Sequence, residues 1–358
     1  MLKKIDIDYL WEGLVLCFDV YDSSGRVLLL NKGETLTDEK INKLKKFNPD
    51  DCRVSIDYTY YDEIMSGLDA PVFIRERLFE DNFGYTRLCH EIESLFSMWV
   101  KHRYIDSDKA MQIMRAIYKK SEESSFADIL QCIQAPRKKQ DKLYRHSLNV
   151  AFLNAKIGSW LKLSDEDIKM LILSGFLHDV GKIKLFSALL NSKGMSEKEE
   201  IEMLKKHPVY SYDMLSLYGR FDERVCMAVR THHENMGGGG YPEGVESDEI
   251  PVFGRITSLS NVYDNAVSSE SYDDKKNCFT VYRQLYEQEF GGLDMQLVNI
   301  FLKNMMKELV NTEVLLSSGK TAVIKKMFSD SLDYPIVDFN GYIRKTDEEL
   351  YCKQIFIK

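Results

Sequence analysis

The chain of 358 residues carries 48 lysines and arginines against 56 aspartates and glutamates, a formal charge of -8. That length suffices for two or three domains with a sizeable core, and the acidic balance argues against a non-specific nucleic-acid binder, which needs a basic surface. No apolar run approaches the ~20 residues of a bilayer span, acids interrupt the opening "MLKKIDIDYLWEGLVL" so that it is no signal peptide, and seven scattered cysteines without a CxxC pair predict free thiols in a reducing cytoplasm.

Residues 1–57 read as a small N-terminal α/β module. "LVLCFDVYDSSGRVLLLNKGETL" sets two apolar runs around the turn "DSSG", as a hairpin does; "TDEKINKLKKFN" is a short helix that Thr37 can cap; "CRVSID" returns as a strand. Residues 58–135 read as a helical linker region. Leu88, Ile92, Leu95 and Phe96 recur at helical spacing, a second helix runs near 107–121, and a third covers about 124–134 before Pro136. The basic cluster "RKKQDK" (137–142) is predicted to be a solvated turn.

From Lys142 to about Met306 helices follow one another. "LYRHSLNVAFLNAKIGSWLKL" reads as amphipathic, with Leu148, Phe152, Ala155 and Trp160 among its apolar positions. "SDEDIKMLILSGFLHDVGK" opens on Ser164 with Asp167 three residues on, and "SEKEEIEMLKKHP" repeats that start with Ser196 and Glu199, both N-terminal capping patterns. "DERVCMAVRTHHE", "VFGRITSLSNVYDNAVSS" and "LDMQLVNIFLKNMMKEL" complete the set, and "TEVLLSSGKTAVIKKMF" reads as a β-hairpin around Ser317-Ser318-Gly319. The expected fold class is mainly α: a helical bundle over 136–340, the linker and the α/β module before it, a short C-terminal β-hairpin, and a tail at 341–358.

Five of the seven histidines fall between 146 and 233: His146, His178, His207, His232 and His233, with Asp179 beside His178. Four lie in or at the end of apolar helices, which predicts that they point into one interior. A single buried histidine is usually a satisfied core residue. Five on successive helices, with an adjacent pair and an aspartate, favour a metal site instead. Neutral imidazole suits Zn, Fe, Mn, Ni or Co, and a carboxylate can bridge two ions. Two such ions about 3.5–4 Å apart clamp a phosphoryl group for in-line attack by water. Lys182, one helical turn past His178, would supply a cation for phosphate charge or a proton for the leaving oxygen.

"FLHDVGK" (176–182), "KKHP" (205–208), "HHE" (232–234) and "GGYP" (239–242) stand in an order and spacing that resembles the HD-GYP domain, a branch of the HD metal-dependent phosphohydrolases. The resemblance covers about 135–340, and residues 1–57 are similar, more weakly, to a small domain that precedes HD-GYP domains in some bacterial proteins. It implies a helical HD core, two divalent metals (Fe or Mn foremost) and hydrolysis of cyclic di-GMP to pGpG or GMP. Carried over, it implies that His146, His178 and Asp179 are metal ligands with Asp179 bridging, and that His207, His232 and His233 complete a second metal. It further implies that Lys182 faces the scissile phosphate and that Tyr241 and Pro242 line the nucleotide.

The chain also departs from that pattern. A metal-ligating aspartate of the family is Asn261 here, with Asp264 kept; two phosphate-gripping arginines fall on Glu270 and Asp273; a loop aspartate is Gly237; and Lys142 stands where three-metal members carry Glu. A third metal is therefore not expected, and Asn261 offers a neutral oxygen where two cations want charge. Two expectations follow: an active cytoplasmic cyclic di-GMP phosphodiesterase, or a degenerate HD-GYP domain that senses a ligand or contacts a partner protein through the N-terminal module. A homodimer is compatible with either, and neither binds a nucleic-acid polymer.

Overall fold

Helix ends in the computed structural model follow the capping residues. The described residues are 3–6, 16, 18–22, 26–47, 53–56, 83–134, 142–185, 196–219, 221–268 and 277–355. The chain divides into two compact units, 1–79 and 80–358.

The first unit holds β1 (Lys3–Asp6), β2 (Val20–Tyr21), β3 (Leu28–Leu30), helix α1 (Asp38–Phe47) and β4 (Arg53–Ile56). β2 and β3 pair antiparallel as the expected hairpin, and Asp22 Oδ1 accepts from the Arg26 and Val27 amides across the turn. α1 starts where Thr37 Oγ1 accepts from the Lys40 amide, and it carries acids in its first turn and lysines in its last, as the helix dipole favours. Ile41 and Leu44 on its inner face are buried, as are Leu30 and Leu36. β4 returns antiparallel to β1.

The second unit is a helical assembly: α2 (Tyr85–His102), α3 (Ser107–Glu123), α4 (Phe126–Gln134), α5 (Lys142–Trp160), α6 (Asp165–Leu177), α7 (Glu197–Leu204), α8 (His207–Asp213, continued as a π-helical stretch to Gly219), α9 (Glu223–Thr231), α10 (Val252–Val267), α11 (Cys278–Tyr286) and α12 (Met295–Leu309). Ser164 Oγ accepts from the Asp167 amide at the start of α6, and Ser196 with Glu199 forms a full capping box at α7. The linker helices contribute to the core. α2 buries Leu88, Ile92, Leu95 and Phe96, and Phe96 meets Tyr144 of α5 edge-on at 5.9 Å. α11 was not singled out by the sequence pattern.

α5 departs from the amphipathic expectation: every residue from Arg145 to Ala155 is buried. Neighbours cover it on more than one side. Gly175 of α6 lies so close that a Cβ there would stand 2.5 Å from Ala151 Cα. Asn154 Nδ2 donates to Leu171 O (2.9 Å) on α6 and to Thr257 Oγ1 (3.0 Å) on α10. The polar residues of α5 are therefore internal partners and not a solvated face, as buried polar groups require.

The expected C-terminal hairpin, β5 (Glu313–Leu316) and β6 (Thr321–Lys326), is the centre of a larger antiparallel sheet with β7 (Ile336–Phe339), β8 (Tyr342–Lys345) and β9 (Cys352–Ile355), in the order β8-β7-β6-β5-β9. Val314, Leu316, Ala322 and Ile324 alternate inward, giving the sheet one buried face. The segment expected as a tail supplies β8 and β9, and the Ile355 amide donates to Gln134 Oε1 at the end of α4 (3.2 Å). Among the described residues no helix is long and apolar enough to cross a membrane.

Candidate metal centre

Helix ends build the cluster. His178 follows α6, His207 follows α7 and begins α8, and His232 follows α9. The last carbonyls of a helix lack intrahelical partners. Each of these imidazoles uses one, three residues back: His178 Nδ1 donates to Gly175 O, His207 Nδ1 to Leu204 O and His232 Nδ1 to Val229 O, all at 2.7 Å. His146, in α5, donates Nδ1–H to Asp264 Oδ2 of α10 at 2.6 Å. A carbonyl or carboxylate only accepts, so the proton of all four rings sits on Nδ1 and every Nε2 carries a bare lone pair.

Those lone pairs face one another. His146 Nε2 is 3.1 Å from His178 Nε2, and His207 Nε2 is 3.2 Å from His232 Nε2. With no proton between them, each contact is repulsive unless a cation lies between the nitrogens. Asp179 stands between the pairs. Its Oδ2 is 3.5 Å from His146 Nε2 and 3.3 Å from His178 Nε2, while its Oδ1 is 3.1 Å from His207 Nε2 and 3.9 Å from His232 Nε2. Oδ1 is buried and receives no hydrogen bond. Two groups could hold a metal ion: His146, His178 and Asp179, and His207, His232 and His233. An orphaned buried carboxylate oxygen and two pairs of opposed lone pairs fit a pair of divalent cations.

The electrostatics agree with neutral imidazoles and an ionised carboxylate. Burial pushes His146, His232 and His233 below the ordinary imidazole range, His232 and His233 strongly. Burial alone would raise Asp179, yet its carboxyl is held well below its usual range, and with neutral imidazoles around it the cation that does so is Lys182 beside Oδ2. Lys182 Nζ lies 2.6 Å from Asp179 Oδ2 and its side chain is partly exposed. Burial first, then the charge of Asp179, raises the Tyr241 hydroxyl.

Residues 130–284 match the HD domain family. A cyclic di-GMP phosphodiesterase of Thermotoga maritima is 26% identical over 291 residues, covering 76% of each chain. The cyclic di-GMP phosphodiesterase PA4108 of Pseudomonas aeruginosa is 29% identical over 194 residues, 54% of this chain and 47% of that protein. The chain thus spans about half the length of that curated relative. In structure it resembles Bd1817, an HDG"Y"P protein of Bdellovibrio bacteriovorus, with a TM-score of 0.51 and 16% identity over 86% of this chain and all of that one, a likeness of fold. The likeness to the HD domain family and to these phosphodiesterases supports an HD-GYP family member.

The Gly-Tyr-Pro of the HD-GYP name is Gly240-Tyr241-Pro242, and its loop closes against the cluster. Tyr241 stacks on His233, ring centroids 4.5 Å apart and 18° from parallel, and the Tyr241–Pro242 bond is cis. A Cβ on Gly240 would lie 2.5 Å from Glu234 Cα, so only glycine lets the loop return over the histidines. Glu234 Oε1 latches the loop by accepting from the amides of Glu243 (2.7 Å) and Gly244 (3.1 Å). Gly237, where the family has aspartate, borders open space.

Gly181 of the HD-GYP signature has a similar reason: a Cβ there would stand 2.4 Å from His207 O. Ser211 ties the same two segments, its Oγ donating to His178 O and accepting from the Gly181 amide, each at 2.8 Å. Asn261 is buried on α10, and its Oδ1 accepts from Asn265 Nδ2 (2.8 Å). Glu270 and Asp273 lie outside the described residues. Sequence reasoning had not assigned the work of Asp264, Ser211 or Glu234. Their spacing was the available signal: Asp264 lies one turn past Asn261, Ser211 one turn past His207, and Glu234 directly follows the histidine pair.

Proposed function

We propose that the chain is a cyclic dinucleotide phosphodiesterase of HD-GYP type, acting on cyclic di-GMP with two divalent transition metals, Fe or Mn foremost. The observation that carries this is the opposition of Nε2 lone pairs at 3.1 and 3.2 Å on either side of one carboxylate. His146, His178 and Asp179 would hold one metal, and His207, His232 and His233 the other, with Asp179 common to both. When bound, the pair supplies Lewis-acid polarisation of a phosphoryl oxygen and acidifies water.

The remaining work falls to the chain. The carbonyl and carboxylate partners of Nδ1 fix the tautomer and aim of His146, His178, His207 and His232, and burial favours the neutral form of His146 and His232. Lys182, held on Asp179 and reachable from solvent, neutralises charge on the phosphate or protonates the leaving oxygen. Tyr241, braced on His233, offers an aromatic surface for the nucleotide beside the cluster. The free thiols of Cys89, Cys132, Cys226, Cys278 and Cys352 suit a cytoplasmic enzyme.

Turnover of several cyclic dinucleotides by Fe(II)- or Mn(II)-loaded protein tests this. Release of pGpG or GMP, abolished in His178→Ala, is expected. A loaded protein that never releases either overturns it. The neutral Asn261, its oxygen engaged by Asn265, motivates a second reading: an inactive domain that senses a ligand or contacts a protein. About two metals per chain favours the enzyme, and one or none the second reading.

A further inference from the structure

We propose that Tyr85, on a helix outside the region that matches the HD domain, is a positioning residue for the metal held by His146, acting through Asn149 and Asp264. This rests on the metal reading above and extends it to α2. Tyr85 is the first residue of α2 and is fully buried. Its hydroxyl donates in a short hydrogen bond to Asn149 Oδ1. Asn149 Nδ2 donates to Asp264 Oδ1 at 2.8 Å, and Asp264 Oδ2 accepts from His146 Nδ1 at 2.6 Å. The path runs from α2 through α5 to α10 and back to the ligand on α5.

The direction of every proton along this path is fixed. Asp264 receives hydrogen bonds from both sides, so it accepts only, and the amide nitrogen of Asn149 must face it. The amide oxygen must then face Tyr85, and Tyr85 must donate. Removing that hydroxyl leaves a buried amide oxygen without its donor and frees Asn149 to turn, which loosens the carboxylate that sets the His146 ring. Tyr85 is itself held against the residue before the ligand: the Arg145 guanidinium lies over its ring at 4.7 Å, and Arg145 O is 3.3 Å from its hydroxyl. Outer partners of metal-ligating histidines carry a share of affinity that their distance from the metal does not suggest.

The experiment compares Tyr85→Phe with Tyr282→Phe in the full chain. Tyr282→Phe removes a buried tyrosine hydroxyl, that which meets Tyr263 at 3.1 Å, and touches no part of this path. Co(II) is titrated into each protein, with binding followed calorimetrically and by the visible ligand-field bands. Tyr85→Phe is expected to weaken one of two sites by about tenfold, with a shift in that site's bands, while Tyr282→Phe behaves as wild type. Asn149→Leu, of similar volume, should weaken the same site, and adding Tyr85→Phe to it should change nothing further; it carries the test if Tyr85→Phe does not fold. Wild-type affinity and bands in Tyr85→Phe or Asn149→Leu, equal weakening in Tyr282→Phe, or additive losses in the double variant overturn the proposal. A wild-type chain that binds no Co(II) overturns the metal reading itself, a distinguishable result.

Discussion

The two halves of the histidine cluster offer the same element and different charge. His146 and His178 share Asp179 Oδ2 with each other, and a second carboxylate, Asp264, stands behind His146. His207, His232 and His233 are three imidazoles, of which His207 and His232 face the far oxygen of Asp179, and His233 is half-buried under Tyr241. A divalent cation in the first half would meet more compensating charge and less water. On the proposed reading the second half would be the better place for exchange and for substrate, because three neutral imidazoles form it and it borders the Tyr241 loop. With Asp179 common to both metals, as proposed, their occupancies would be interdependent.

The harshest test of that asymmetry is Asp179→Asn. Both halves lose their common charge, so metal content by elemental analysis should fall below one per chain, and turnover should drop by about a thousandfold. Retention of one full equivalent would mean that Asp179 serves a single half. His146→Ala and His233→Ala should each leave about one metal and lower turnover by about a hundredfold. The site remaining in His233→Ala should be the tighter one; the reverse order in a Mn(II) titration would invert the comparison.

Asp264→Asn should weaken the first half by about ten- to a hundredfold and leave the second unchanged, read by the same titration. Tyr241→Ala should raise KM by about tenfold with a smaller change in kcat, since a stacking surface is lost and the ligands stay. Asn261→Asp should raise metal occupancy only a few-fold. No gain there would show that position 261 does not face the metals.

Much of the fold was legible because its signals are local. Ser164 with Asp167 and Ser196 with Glu199 announce helix starts within four residues, and "LLSSGKT" announces a turn between two alternating strands. The histidines were legible as a set because their number and order exceed what a core needs. The all-round burial of α5 was not legible, since it depends on which helices cover it; its asparagines and serine look like a solvated face until Leu171 and Thr257 are found against Asn154. Nor could the pattern tell that the segment after 340 continues the sheet, because β8 and β9 are defined by the strands they join.

Residue types and spacings by themselves determined the mainly helical class and most of the helices, because helix caps, turns and apolar periodicity act over a few residues, and they singled out the histidines and Asp179 as metal-binding candidates. Only the tertiary structure decided that these residues meet, which nitrogen keeps its proton in His146, His178, His207 and His232, and that Asp179 lies between two pairs. It also decided why glycine stands at 181 and 240, where other backbone passes within 2.6 Å of the position a Cβ would take. Partners such as Asp264 and His146, 118 residues apart, are joined by packing, and packing leaves no mark at fixed spacing along the chain.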